Sequence, residues 1–118
     1  MLGTIDESDL LELHQEVLEK SGCLRFRALG SSMFPFIRSG DFLTAKSVNP
    51  TDISIGEIPL YQREGRSFAH RLIKKEIING TFLFVTRGDH HTFCDPPVHS
   101  SQILGKVVCV ERSGRVIR

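Results

Sequence analysis

Hydrophobic residues in the first stretch of the chain recur with a helical period. Leu10, Leu13 and Val17 fall at i, i+3 and i+7, with Leu11 and Leu18 widening the stripe. Glu7, Glu12, Gln15, Glu16 and Lys20 fill the opposite face. Thr4 followed by Glu7 matches a capping box, and Gly22 after Lys20-Ser21 suits a helix C-cap. This pattern predicts one amphipathic helix, an N-terminal appendage over residues 1–22. Its apolar stripe docks either on the protein's own core or on a membrane-bound or protein partner. The acidic opposite face argues against anionic lipid.

After Gly22 the period drops to two. Leu24, Phe26 and Ala28 alternate with Arg25 and Arg27, the signature of a half-buried strand. Further strands are predicted over 41–48, 57–62, 67–73, 81–87, 103–111 and 115–117. Between them stand turn signals such as Ser39-Gly40, Asn49-Pro50, Glu64-Gly65, Asn79-Gly80 and Ser113-Gly114. Asn79-Gly80 is the strongest hairpin signal, because both residues tolerate the positive φ angles of a type I′ turn. Pro59 has no N–H to give a ladder, so its strand is expected at an edge there. The long irregular stretch is 89–101, the kind of loop that carries function. The fold class expected is mainly β: about six to seven short strands over residues 23–118, forming a barrel or sandwich, after one helix.

Composition narrows the function classes. With 118 residues, 40% hydrophobic and 25% charged, the chain suits one globular domain and not a disordered or fibrous protein. A net charge of +1 offers no basic footprint, so no nucleic-acid partner is expected. No apolar run reaches transmembrane length, and Met1-Leu2-Gly3-Thr4-Ile5-Asp6-Glu7 lacks the basic start of a signal peptide. Cys23, Cys94 and Cys109 make an odd count without Cys-x-x-Cys spacing, which is no disulfide framework. The expectation is a soluble, cytoplasmic protein.

Candidate chemistry concentrates in Ala28-Leu29-Gly30-Ser31-Ser32-Met33-Phe34-Pro35-Phe36-Ile37-Arg38-Ser39-Gly40-Asp41. A serine just past a strand end, with a backbone N–H beside it, is where a nucleophile and an oxyanion site can coexist. Two serines after a glycine also occur in ordinary turns.

The run Ser-Met-x-Pro-x-Ile-x-x-Gly-Asp resembles the serine box of the superfamily that joins signal peptidase I with the self-cleaving SOS repressors. Other boxes follow in the family's order over about four-fifths of the chain. Gly56-Glu57-Ile58-Pro59-Leu60-Tyr61 resembles its Gly-Asp-Ile-Val-x-Tyr strand, with Glu57 in place of Asp. Phe68-Ala69-His70-Arg71-Leu72-Ile73 resembles the strand carrying the general base. Thr86-Arg87-Gly88-Asp89 with Asp95 resembles the Thr-Lys-Gly-Asp…Asp box, and Ile103-Leu104-Gly105-Lys106-Val107-Val108 the closing Gly-Lys/Arg-Val strand.

The resemblance implies a signal-peptidase/LexA-like β fold and a set of roles. Ser32, directly before Met33, takes the nucleophile's place, and His70 the base's, as in the histidine-type branch. Lysine stands there in bacterial signal peptidases and SOS repressors. Lys74 is no substitute for His70, because four strand residues separate their Cβ atoms by about 13 Å. Asp95, six residues after Asp89, takes the place of the triad acid, with Asp89 the second candidate. Ser31 and Met33 are the candidate oxyanion or substrate-binding neighbours. Many signal peptidases draw a second oxyanion donor from a serine two before the nucleophile, and here that position is Gly30.

Other residues read as structure. Asp41 is expected to cap or bridge its loop, and Tyr61, Phe26 and Phe36 to fill the core. His90, His91, Cys94 and His99 lie close in sequence, yet adjacent histidines are poor spacing for zinc and no second cysteine pair exists. No metal or other cofactor is expected.

The function expected is a soluble, signal-peptidase-like serine endopeptidase that cleaves a peptide or precursor-protein substrate through Ser32, His70 and Asp95. Two alternatives stay open. One is a non-catalytic peptide-binding module on the same fold, motivated by Gly30. The other is a self-cleaving regulator, which the missing Ala-Gly and Cys-Gly dipeptides and the short segment before Leu24 disfavour.

Overall fold

The computed structural model describes residues 18–117. Most of the expected N-terminal helix, with its Leu10, Leu13 and Val17 stripe, lies outside the described residues. Residues 18–21 are helical, and Leu18 is buried against Ala45 and Leu60.

Nine strands follow: β1 (Cys23–Arg27), β2 (Phe42–Lys46), β3 (Pro59–Arg63), β4 (Arg66–Ala69), β5 (Arg71–Ile78), β6 (Thr81–Arg87), β7 (Val98–His99), β8 (Ile103–Arg112) and β9 (Arg115–Val116). The described chain is thus mainly β. Every pairing is antiparallel. Six strands form one sheet in the order β1-β2-β8-β3-β4, with β9 on β8, and β5-β6-β7 form a second. The strands divide between these two sheets, and no closed barrel is found among the described residues.

Alternation explains the core. Leu43 and Ala45 of β2 and Phe84 and Thr86 of β6 are buried at every second position, as a pleated strand requires. One apolar cluster gathers Met33, Ile37, Leu43, Ile58 and Val110 beneath the loop between β1 and β2. A second gathers Ile53, Tyr61, Leu72, Phe84 and Val98 between the sheets. At Ile78-Asn79-Gly80-Thr81 the chain makes a two-residue turn, with φ of +52° at Asn79 and +76° at Gly80. Pro59 pairs only with Lys106 of β8, and pairing to β4 begins one residue later at Leu60, so the missing N–H faces no partner strand.

Two expectations about strands need correction. Residues 67–73 are not one strand: β4 ends at Ala69 in the first sheet, β5 begins at Arg71 in the second, and His70 is the crossover. Nor is the 89–101 stretch wholly irregular, because Val98 is fully buried and Val98–His99 pair with Phe84 and Leu83 of β6. A two-residue strand gives too short a period to be seen in sequence.

Candidate active site

The crossover places one imidazole at the seam between the sheets. His70 is buried, and its ring is boxed by Phe68 of β4, Tyr61 of β3 and His91 of the loop after β6. Asp95, on the same loop, reaches in from the other side. Its backbone N–H donates to the carbonyl of Thr86 at 2.8 Å, which fixes the carboxylate's starting point beside the end of β6.

Ser32 arrives on the loop between β1 and β2. The loop's neck is closed by Ala28 N–H donating to Asp41 O and Gly40 N–H to Ala28 O. Phe34 N–H donates to Ser31 O and Ile37 N–H to Met33 O, so the chain turns tightly around the serine. A second loop latches it: His90 N–H donates to the Ser32 carbonyl at 2.9 Å, and Asp89 N–H to the Met33 sulfur at 3.4 Å. Gly88 permits this approach, since a Cβ there would lie 2.6 Å from the Ser32 carbonyl oxygen.

The three side chains form a chain of hydrogen bonds. Ser32 Oγ lies 3.0 Å from His70 Nε2, and His70 Nδ1 lies 2.7 Å from Asp95 Oδ2. With Nδ1–H donating to the carboxylate, Nε2 is left as the acceptor of the serine hydroxyl proton. Two more donors meet the same carboxylate oxygen: the Thr86 hydroxyl at 2.8 Å and the Tyr61 hydroxyl at 3.2 Å. Tyr61 and Thr86 are themselves 2.9 Å apart, and both are fully buried.

The electrostatics follow from these contacts. Burial is the largest single influence on the Asp95 carboxyl and pushes its pKa up. The hydrogen bonds from His70 and Thr86, the His70 charge and the Tyr61 hydroxyl together outweigh burial and hold the carboxyl below its ordinary value. Burial pushes the Tyr61 phenol up to about 12, so it keeps its proton and remains a donor at any ordinary pH.

The other candidates fall elsewhere. Asp89 makes no hydrogen bond to His70. It is held by Arg71, whose Nε and Nη2 donate to its two oxygens at 2.8 and 2.7 Å. Met33 is only 4% exposed and packs in the core under the serine, so its side chain is not open to a bound peptide. Ser31 is exposed at the start of the turn. Gly30, at φ +87°, carries no hydroxyl. Asp41 is buried and bridges its loop to β8, accepting from Arg38 N–H and from the Arg112 guanidinium. Among the described residues no three His, Cys, Asp or Glu side chains gather as a metal site. His90 instead sets its ring edge against Phe34, and His91 stacks on Phe93.

The contacts of two residues with Asp95 escaped the sequence reading. Tyr61 was expected to be core alone. Thr86 carried a usable signal: it is a polar residue two positions from Phe84, on the inward face of an alternating strand.

No protein-family model matches the chain, and no curated protein matches it. Among the described residues no helix is long and apolar enough to cross a membrane.

Proposed function

We propose that the chain is a serine endopeptidase of the signal-peptidase-like, histidine-type kind, on the signal-peptidase/LexA-like fold. The observation that carries this reading is the unbroken Ser32–His70–Asp95 hydrogen-bond chain at the seam of the two sheets. His70 Nε2 takes the Ser32 hydroxyl proton as the oxygen attacks a peptide carbonyl. Asp95 holds the imidazole in its tautomer and stabilises the imidazolium that forms. The imidazolium then gives the proton to the departing amine, and the acyl-serine is released by water activated in the same way. The Ser32 backbone N–H donates to no other group among the described residues, which supports a role toward the developing oxyanion.

The surroundings suit a peptide or precursor-protein substrate. β4 ends the sheet path and leads straight into His70, so an extended peptide could add there as a further strand. Exposed Phe34 and Phe93, beside His90 and His91, offer apolar contact near the serine. The three cysteines are unpaired, and two are exposed, which supports a reducing compartment such as the cytoplasm.

Gly30 favours a second reading, a peptide-binding module with the same geometry and one fewer oxyanion donor. A fluorophosphonate probe separates the two. The wild-type protein is expected to be labelled at Ser32, as read by peptide mass. Ser32→Ala and His70→Ala should each lower labelling by about a thousandfold or more while leaving the circular dichroism spectrum unchanged. A folded wild-type protein that takes no label would leave the binding module as the better account.

A further inference from the structure

We infer that Thr86, backed by Tyr61, is the positioning residue that fixes Asp95 against His70. This rests on the peptidase reading and deepens it. All three hydrogen bonds to the Asp95 side chain end on one oxygen, Oδ2, from His70 Nδ1, Thr86 Oγ1 and Tyr61 Oη. Asp95 sits on a loop, whereas Thr86 is on β6 and Tyr61 on β3, one strand from each sheet. The two rigid hydroxyls therefore reference a loop carboxylate to both halves of the fold.

Proton counting orders the network. Nδ1–H of His70 donates to Oδ2, and the Thr86 hydroxyl donates to the same oxygen. The Tyr61 hydroxyl has one proton for two acceptors and is nearer Thr86, at 2.9 Å, than Asp95, at 3.2 Å. The shortest route runs from Tyr61 to Thr86 to Asp95, with Thr86 as the hub. Without the Thr86 hydroxyl, Asp95 keeps its backbone anchor to the Thr86 carbonyl, one long bond from Tyr61 and the pull of His70, but its side chain loses the donor that best fixes its rotation. The titratable groups in contact with Asp95 are His70 and Tyr61; Arg63 lies over the Tyr61 ring and donates to the Pro96 carbonyl, and His91 meets His70 edge-on.

Substitution at Thr86 distinguishes hydrogen bonding from packing. Val keeps the branched shape of Thr and loses the hydroxyl, while Ser keeps the hydroxyl and loses the methyl. Thr86→Val is expected to lower the fluorophosphonate labelling rate by about tenfold, and Thr86→Ser to restore it to within about twofold of wild type. Tyr61→Phe should lower it by about threefold.

A second readout does not need catalysis. The His70 Nδ1 proton, held against a carboxylate, gives a far-downfield proton resonance that His70→Gln removes. It should keep its position in Thr86→Ser and shift or vanish in Thr86→Val. Thr86→Val at least as active as Thr86→Ser, with the resonance unmoved, would overturn the inference and leave Thr86 a packing residue. If the wild-type protein takes no label, the peptidase reading fails, and the resonance still decides whether Thr86 positions the pair.

Discussion

Two charge pairs stand side by side in this molecule, and they do different things. His70 and Arg71 are consecutive, and the acids they meet, Asp95 and Asp89, both come from the loop after β6. The His70–Asp95 pair is buried, with the carboxylate meeting two more donors. In the Arg71–Asp89 pair both partners remain partly exposed, and the guanidinium covers both carboxylate oxygens while also donating to Gly56 O. Arginine does not give up its proton in a protein, so the second pair is a latch between β5 and the loop. An imidazole can accept a proton at one nitrogen while donating at the other, so the first pair has the geometry to pass one. Sequence proximity to His70 does not decide which acid pairs with it. The alternation of side chains at a sheet crossover does.

The sharpest way to break this contrast is to neutralise each acid in turn. Asp95→Asn should lower labelling and peptide cleavage by about a thousandfold, because an amide can hold the imidazole in the wrong tautomer and cannot stabilise its charge. Asp89→Asn should keep the rate within about tenfold of wild type while costing about 2 kcal/mol of stability, through the loss of a charged partner for Arg71. Denaturant titrations alongside labelling rates check both halves. Equal losses of rate would mean that the two pairs form one catalytic unit.

The latch can also be tested where it meets the Ser32 loop. Gly88 directly precedes Asp89 and packs against the serine loop, and a methyl group at its Cα would sit 2.6 Å from the Ser32 carbonyl and 2.9 Å from His91 Nδ1. Backbone cannot yield there as a flexible side chain would. Gly88→Ala should therefore push the serine loop off the imidazole and reduce labelling by about a hundredfold, the scale expected for a displacement of about 1 Å. The overall fold should survive. An unchanged rate would show that the loop bearing His90 does not set the serine's position.

How much of this was legible in the sequence depends on the range of the interaction. The β1, β2 and β6 strands are readable because their alternation is local, and Asn79-Gly80 because its turn needs only two residues. Ser32, His70 and Asp95 were singled out because their motifs stand in a familiar order, and the geometry brings those three together. The choice between Asp95 and Asp89 needed three dimensions. So did the split of 67–73, because nothing in Phe68-Ala69-His70-Arg71 announces that the chain leaves one sheet for another. Tyr61 was hidden for a related reason: the ring does fill the core, and only its hydroxyl reaches the site.

A third carboxylate sharpens the comparison from the structural side, with the smallest effect on rate. Asp41 is buried and takes both its side-chain charge partner and part of its position from Arg112 of β8, which also donates to Phe36 O. The Arg112 hydrogen bond is the largest influence on its carboxyl, and with the Arg38 N–H it overcomes the opposing effect of burial and holds the pKa below the usual carboxylate range. In the unfolded chain the same group titrates near an ordinary value, about 4. As pH falls, the unfolded chain therefore binds the proton first. The stability this contact contributes is complete above about pH 5 and is lost as pH drops through the folded value. Asp41→Asn should be less stable than wild type at pH 7, and thermal unfolding should show that difference shrinking below about pH 4. Labelling at pH 7 should stay within about threefold of wild type, because Asp41 holds the neck of the serine loop and not its tip. A stability gap that persists unchanged into acid would mean that the buried amide disturbs packing, and that the ionised pair is not what holds the loop to β8.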